Sequence, residues 1–392
     1  DSNFSQKLDC EIIGIEDCTG RITYEDIISE CNVPGFRRST VDGYAVRSKD
    51  VFGASESIPA ILNIIGEVQM GKPAPAALKA PGDCMYVPTG GMLPDGSDCV
   101  VMIEYTDKLD DRTVLVNSPA GPLDNVVAIG EDIKSGETII KGSSMIRPYE
   151  AGVLASLGID KVKVMKKPKV AIISTGDEIV DINETPALGQ TRDINTYLLY
   201  SLIMSDNGIP CIYGLVKDDY EILKHTVDCA LSECDIVLIS GGSSVGKKDQ
   251  TLNVINSLGS PGVLIHGLAV KPGKPTIVGK ARDRIIYGLP GHPLACAVIY
   301  NILVKYYMER LYGLSDAKIP VSCSFSINYH KAKGREEYLP VMLKKDAGGY
   351  TAEPIFTKSG LISGFSKAWG YVKIERNTEG LKAGEAVEVY KF

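Results

Sequence analysis

The stretch from residue 168 to residue 312 constrains this chain most. Short, wholly apolar runs alternate there with stretches whose apolar residues recur every three or four positions. That alternation marks an α/β unit on a parallel sheet, whose strands are buried on both faces and so have no polar side. The predicted strands are Lys169–Ser174, Cys211–Val216, Asp235–Ser240, Val263–Ala269 and Arg284–Gly288. Thr196–Asn207 and Glu221–Glu233 read as amphipathic helices between them, a shorter helix runs from Gln250 to Leu258, and Pro293 opens a long helix toward Tyr312.

A chain of 392 residues is long for one hydrophobic core, because chains split into units of roughly 100–200 residues once a single core stops growing. Residues 42–130 are rich in Gly and Pro and carry short β-like runs at Ile61–Ile65, Cys84–Pro88, Cys99–Ile103 and Val114–Val116. They predict a small β domain, inserted into a discontinuous mixed domain made of residues 1–41 and 131–165. The α/β unit takes residues 166–312. From 313 to 392 apolar and polar residues alternate (Val321, Cys323, Phe325, Ile327), with turns at Gly334, Gly348-Gly349, Gly370 and Gly384. That pattern predicts a C-terminal β-barrel. The expected architecture is therefore a multidomain α/β protein around a central doubly wound domain.

A net charge of −7 and a pI near 5.3 argue against a nucleic-acid partner, which selects for a basic face. An anionic ligand must be held by local groups instead. The longest apolar run, Leu294–Val304, is about half the ~20 residues a membrane helix needs, so no membrane partner is expected. Ten cysteines lie scattered without a Cys-x-x-Cys pair or a His cluster, which disfavours zinc and a disulfide framework. With neither a basic leader nor a long apolar run at Asp1-Ser2-Asn3-Phe4, the expectation is a cytoplasmic protein with reduced thiols.

Four loops at predicted strand ends carry chemistry. In parallel sheets ligands bind beyond the carboxyl ends of strands, where glycines let backbone N–H groups converge on phosphate. The run Ser240-Gly241-Gly242-Ser243-Ser244-Val245-Gly246-Lys247-Lys248-Asp249 stands at such an end. It matches the opening of a P-loop, yet Lys248 occupies the place of the Mg²⁺-binding hydroxyl, so an ATPase is rejected. Asp249 can supply a carboxylate to magnesium instead. Ser174-Thr175-Gly176-Asp177-Glu178 sets two carboxylates at another strand end; they suit a hard divalent cation or simply complement a helix dipole. Lys271-Pro272-Gly273-Lys274-Pro275 offers two cations on a stiff turn, suited to a tetrahedral oxyanion or merely solvated. Gly288-Leu289-Pro290-Gly291-His292-Pro293 leads into a helix N-terminus, another anion site; His292 alone reads more readily as structural. Together the four loops argue for a nucleotide-like ligand with a divalent ion.

In this order and spacing the chain resembles the molybdopterin molybdenumtransferase family, which includes the E domain of gephyrin. The resemblance covers nearly the whole chain, through Val33-Pro34-Gly35-Phe36, Ser39–Val46 around Asp42, Pro88-Thr89-Gly90-Gly91 through Pro94, Gly130-Glu131-Asp132-Ile133 and the four loops above. It implies a homodimer of four-domain subunits that inserts molybdate into adenylyl-molybdopterin in a Mg²⁺-dependent reaction releasing AMP, with the molybdopterin adenylyltransferase as a partner that would supply the substrate. By motif, the catalytic positions it implies are Asp42, Thr89, Asp132 and Glu178, with Asp249, Glu178 and Asp42 toward the metal. Substrate-binding positions are Gly176, Asp177, Asp235, Ser240, Gly241, Gly242, Ser243, Gly246, Lys271, Lys274, Pro290, Gly291, His292, Arg335 and Ser363. Asp235 begins a predicted strand, where a structural role competes.

The chain departs from the family pattern at His292 and Ala295, where Asn and Ser are usual. It also departs at Val127-Ala128-Ile129, which lacks an Arg before Gly130, at Pro340 in place of a second Arg, and at Trp369 in place of Asn. These changes bear on oxyanion contacts and leave tungstate open beside molybdate. Two rivals are the related molybdopterin adenylyltransferase, which the three further domains argue against, and a non-catalytic scaffold, which the retained carboxylates argue against.

Overall fold

The computed structural model describes residues 8–241, 250–314, 319–346 and 348–392. The chain divides into two compact units, one of residues 12–19 and 23–163, the other of residues up to 11, 20–22 and 164–392.

The first unit carries a six-stranded sheet of β1 (Gly43–Val46), β2 (Ala60–Glu67), β3 (Asp83–Val87), β4 (Cys99–Met102), β5 (Thr106–Lys108) and β6 (Thr113–Val116). Its order is β4-β1-β3-β2-β6-β5, and it contains all four β runs expected between residues 61 and 116. Alternate residues serve opposite faces. Tyr44, Val46, Leu62, Val101 and Val114 form one core, whereas Ala45, Met85, Val87 and Val100 form another.

The second unit holds the α/β sheet. Its elements are β7 (Lys169–Thr175), α1 (Asn195–Ser205), β8 (Ile209–Val216), α2 (Tyr220–Glu233), β9 (Ile236–Ser240), α3 (Gln250–Ser257), β10 (Gly262–His266), β11 (Val270–Lys271), β12 (Ile277–Ala281), β13 (Arg284–Leu289) and α4 (Pro293–Ile299). The sheet order is β8-β7-β9-β13-β12-β10. Consecutive apolar residues separate to the two faces as the doubly wound reading requires. Val170, Ile172, Ile236, Leu238 and Ile285 meet Leu199 and Ile203 of α1 and Ile299 of α4. Ala171, Ile173, Val237, Ile239 and Ile286 meet Val227 of α2 and Val254 of α3. Each such buried aliphatic side chain contributes about 1.5–3 kcal/mol of burial free energy.

The sheet departs from the sequence reading in three respects. It is mixed rather than wholly parallel: β8, β7, β9 and β13 run parallel, but β12 pairs antiparallel with both β13 and β10. The strand expected at Val263–Ala269 ends at His266, and β12 was not expected at all. The two edge strands, β8 and β10, are also not buried on both faces, since Ile212, Leu215, Leu264 and Ile265 are exposed. The long helix from Pro293 does reach Leu311, through a π-helical stretch at Tyr300–Val304. There the buried Asn301 amide donates to the Ala297 carbonyl at 2.9 Å, binding its polar end within the helix.

The C-terminal barrel is present. β14 (Val321–Phe325), β15 (Glu336–Asp346), β16 (Gly349–Pro354), β17 (Gly370–Ile374) and β18 (Ala386–Lys391) follow the order β15-β16-β14-β18-β17, and β17 pairs back onto β15 to close it. β11 pairs with the first residues of β15, setting Val270 opposite Glu336 and Lys271 opposite Glu337. The lysine turn is thereby fastened to the barrel. All ten cysteines are free thiols, and burial pushes those of Cys84 and Cys296 up to about 12. Among the described residues no helix is long and apolar enough to cross a membrane.

Candidate active site

The carboxyl ends of β7, β9 and β13 open into a cleft of about 1530 Å³, whose opposite wall is the barrel. Its α/β wall is built from tight backbone. Gly241, directly after β9, has φ +105°, and a Cβ there would stand 2.1 Å from the Thr175 carbonyl oxygen. Only glycine lets the two loops approach so closely. At Gly273 in the lysine turn, with φ +118°, a Cβ would stand 2.3 Å from Ile299 Cδ1, so the turn is pressed onto α4.

Among the site residues expected from the sequence, Gly176, Glu178, Gly241, Lys271, Lys274, Pro290, Gly291, His292 and Arg335 all line this cleft. Gly242, Ser243, Gly246 and Asp249 lie outside the described residues. Asp42, Thr89 and Asp132 belong to the other unit. Within it Asp42 Oδ1 accepts from the Thr89 amide at 2.7 Å and from the Thr89 hydroxyl at 3.0 Å, which fixes that carboxylate. Asp132 is exposed, and its amide donates to the Val33 carbonyl at 3.1 Å.

Four expected residues of this unit lie outside the cleft lining: Asp177, Asp235, Ser240 and Ser363. Asp235 precedes β9, at the end opposite the cleft and ~16 Å from it along the strand. Its carboxylate pairs with Arg284 at 2.6 Å and accepts from the Lys169 amide at 2.9 Å, which ties neighbouring strands together. Ser240 is buried, and its hydroxyl accepts from the Asn195 amide at 2.6 Å. Ser363 sits in the short helix Ile362–Phe365, outside the cleft lining. Ser359 lines the cleft instead, with its hydroxyl 2.8 Å from His292 Nδ1. His292 is thus held by a serine of the barrel side.

Several lining residues escaped the sequence reading. Asp218 follows β8 at its carboxyl end and lines the cleft with Glu178. Its amide donates to Asp177 Oδ1 at 3.3 Å. Partial desolvation, then the negative charges of Asp177 and Glu178, raise its pKa above the usual carboxylate value. The rule that ligands sit beyond strand carboxyl ends, applied to Lys217-Asp218-Asp219, would have found it. Glu337, only 4% exposed, is the second. Its Oε1 accepts from the Tyr329 hydroxyl at 2.7 Å and pairs with Lys271 Nζ at 2.8 Å. Lys271 therefore enters the cleft already partnered, whereas Lys274 and Arg335 have no ion-pair partner among the described residues.

Among the described residues, three buried polar atoms of the cleft lack a hydrogen-bond partner: Thr175 Oγ1, Asn195 Oδ1 and Glu337 Oε2. Buried polar groups are nearly always satisfied, so their gathering in one cleft marks it as a place where a ligand supplies the missing bonds. Asn195 is held for that purpose, since its amide nitrogen donates to Ser240 Oγ at 2.6 Å and to the Gly291 carbonyl at 2.8 Å.

The acidic cluster gives the first prediction. The folded state raises the Asp218 pKa, so that carboxyl stabilises the protein when protonated and loses this contribution as pH rises through its folded value. Asp218→Asn should accordingly raise the thermal midpoint of the metal-free protein near neutral pH and shrink the further rise caused by millimolar Mg²⁺. Parallel melts with and without Mg²⁺ check both directions; an unchanged Mg²⁺ response removes Asp218 from cation binding.

Family models match almost end to end: the MoeA N-terminal region (domains I and II) over residues 3–158, a probable molybdopterin binding domain over 171–310 and the MoeA C-terminal region (domain IV) over 324–392. A putative molybdopterin biosynthesis protein of Methanocaldococcus jannaschii is 36% identical over 96% of this chain and 91% of its own length. A molybdopterin molybdenumtransferase of Haemophilus influenzae is 32% identical over 97% and 94%. The crystal structure of a molybdopterin biosynthesis MoeA protein from Pyrococcus horikoshii superposes with a TM-score of 0.87 at 37% identity, covering 100% of this chain and 96% of that one.

Proposed function

This chain belongs to the MoeA family, and from that premise we propose that it is a molybdopterin molybdenumtransferase, acting as a cytoplasmic homodimer on adenylyl-molybdopterin and molybdate. Full-length relatives bear that name at 28–32% identity. The observation that carries the reading is the two-sided chemistry of one cleft, with carboxylates Glu178 and Asp218 on the α/β wall and cations Lys274 and Arg335 beside the barrel. It has room for both an oxyanion and a nucleotide-linked heterocycle, being larger than the roughly 300–1,000 Å³ of ordinary small-molecule sites.

In the proposed reaction the two thiols of the pterin dithiolene replace one oxygen of molybdate, which leaves as water with the thiol protons. A second water cleaves the phosphoanhydride, releasing AMP. Glycines 176, 241 and 291 bring backbone close to the nucleotide phosphates. Lys274 and Arg335 hold the oxyanion by charge-assisted hydrogen bonds, and Glu337 fixes the Lys271 ammonium beside them. The cleft's oxygen donors suit magnesium. Glu178 and Asp218 are hard ligands that line the cleft, with negative charge from Asp177 and Glu178 acting on Asp218, although no three such side chains are preassembled as a metal centre among the described residues. Mg²⁺ usually takes one or two carboxylates, completing its shell with water and phosphate oxygens. Bound by Glu178 and Asp218, it would supply neutralising charge to the anhydride oxygens.

The reading is tested in a bacterial strain that lacks its own molybdenumtransferase. Expression of this chain should restore molybdenum-enzyme activity at ordinary molybdate concentrations. Failure to do so while folded protein accumulates would overturn it.

A further inference from the structure

The barrel wall of the cleft carries a feature that neither the oxyanion nor the nucleotide phosphates use. Phe356, in the segment after β16, is 65% exposed although it lines the cleft. A large aromatic ring left open to water inside a concave site loses burial free energy unless a ligand covers it. The ring is not loose. It stacks on Tyr329 with centroids 5.9 Å apart and planes inclined by 28°, and the preceding Ile355 amide is tied to the Pro340 carbonyl at 2.9 Å.

Tyr329 is itself anchored in three ways. Its backbone pairs with Leu381, and its ring packs against the barrel core. Its hydroxyl donates to Glu337 Oε1 at 2.7 Å. Burial and that bond raise the Tyr329 pKa, so the hydroxyl stays a donor. Glu337 is buried, and its Oε2 has no hydrogen-bond partner among the described residues. A rigid aromatic face and an unsatisfied buried acceptor are thus joined through one side chain, Tyr329, in one cleft.

We propose that Phe356, seated on Tyr329, is the stacking platform for a flat nitrogen heterocycle of the substrate, whose N–H donors are drawn by the Glu337 carboxylate. This rests on the proposed function, because both rings of adenylyl-molybdopterin, the pterin and the adenine, have this chemistry. Aromatic stacking is indifferent to ring identity, since every base has a π-face. The carboxylate selects only for N–H donors, which both rings possess. Phe356 is then a binding residue, and Tyr329 and Glu337 are positioning residues behind it.

The test measures binding of three probes, adenylyl-molybdopterin, molybdopterin without the nucleotide and AMP, to the wild-type full chain and to Phe356→Ala, Phe356→Trp and Tyr329→Phe. Pterin fluorescence reports the first two and calorimetry the third. Phe356→Ala should weaken adenylyl-molybdopterin roughly tenfold, with Phe356→Trp restoring it. Tyr329→Phe keeps the ring but frees Glu337, so it should cause a smaller loss. A matching loss for molybdopterin alone assigns the platform to the pterin; a matching loss for AMP assigns it to adenine. Unchanged affinity of Phe356→Ala for all three probes overturns the platform and leaves the enzyme reading intact. Wild-type protein that binds none of them overturns both.

Discussion

Glu178→Gln should slow AMP release from adenylyl-molybdopterin by about 100-fold or more while the protein stays folded. The side chain is exposed in the cleft, and exposed substitutions without special partners change stability by roughly ±0.5 kcal/mol. Loss of fold is therefore not an explanation for loss of rate. The carboxylate turns back over the end of β7, where a Cβ on Gly176 would meet its Oε2 at 2.9 Å, and its charge reaches Asp218. Glutamine keeps the size and removes the charge. If Glu178 serves a cation, excess Mg²⁺ should recover part of the rate, because the loss then lies partly in affinity. Stopped-time assays across a Mg²⁺ series check this, and a near-wild-type rate at every concentration would remove Glu178 from the reaction.

Gly241→Ala should have the largest effect on stability. Two independent costs act on one atom. The backbone φ of +105° disfavours any side chain, and the added Cβ would stand 2.1 Å from the Thr175 carbonyl oxygen. Backbone, unlike the end of a flexible side chain, cannot swing away. Strain and overpacking each cost about 1–3 kcal/mol, so a loss of about 3 kcal/mol or more is expected. Gly152→Ala provides the contrast. It lies inside a helix with nothing within 4 Å of the added atom, and alanine there should be neutral or stabilising by up to about 1 kcal/mol. Thermal unfolding of the two variants beside wild type measures both signs. Equal midpoints would mean that the β7 and β9 loops do not need their close approach.

How much of this was legible in the sequence depended on whether a local signal existed. The strands β7, β9 and β13 announced themselves because burial on both faces leaves consecutive apolar residues, a pattern few other elements share. β12 did not. It meets β13 in a hairpin whose turn residues Arg282 and Asp283 have φ of +49° and +62°, a conformation that Asn-Gly normally signals. Arg-Asp hides it, and the sheet was read as parallel throughout. The barrel showed through strand alternation, yet closure of β17 onto β15 joins residues about thirty positions apart and leaves no local trace.

The site divides in the same way. Loops at strand carboxyl ends could be located from the strands themselves, and eight of the residues expected there line the cleft. Asp235 was misplaced because it stands at the wrong end of its strand. Position in a motif cannot report which end of a strand faces the ligand, but strand polarity can. Glu337, Tyr329 and Phe356 come from the barrel, carry no motif spacing and reach the cleft only because β11 pairs with β15. Their role is a product of tertiary structure.

The central claim is that metal enters the pterin as the nucleotide leaves, and counting both in one reaction tests it most directly. Purified protein would be mixed with adenylyl-molybdopterin, Mg²⁺ and either molybdate or tungstate, then AMP and pterin-bound metal would be measured together. AMP release should depend on the oxyanion, with about one metal retained per AMP, and the more effective oxyanion identifies the metal. AMP release that proceeds equally without oxyanion, or tight binding with neither AMP nor metal transfer, would contradict it.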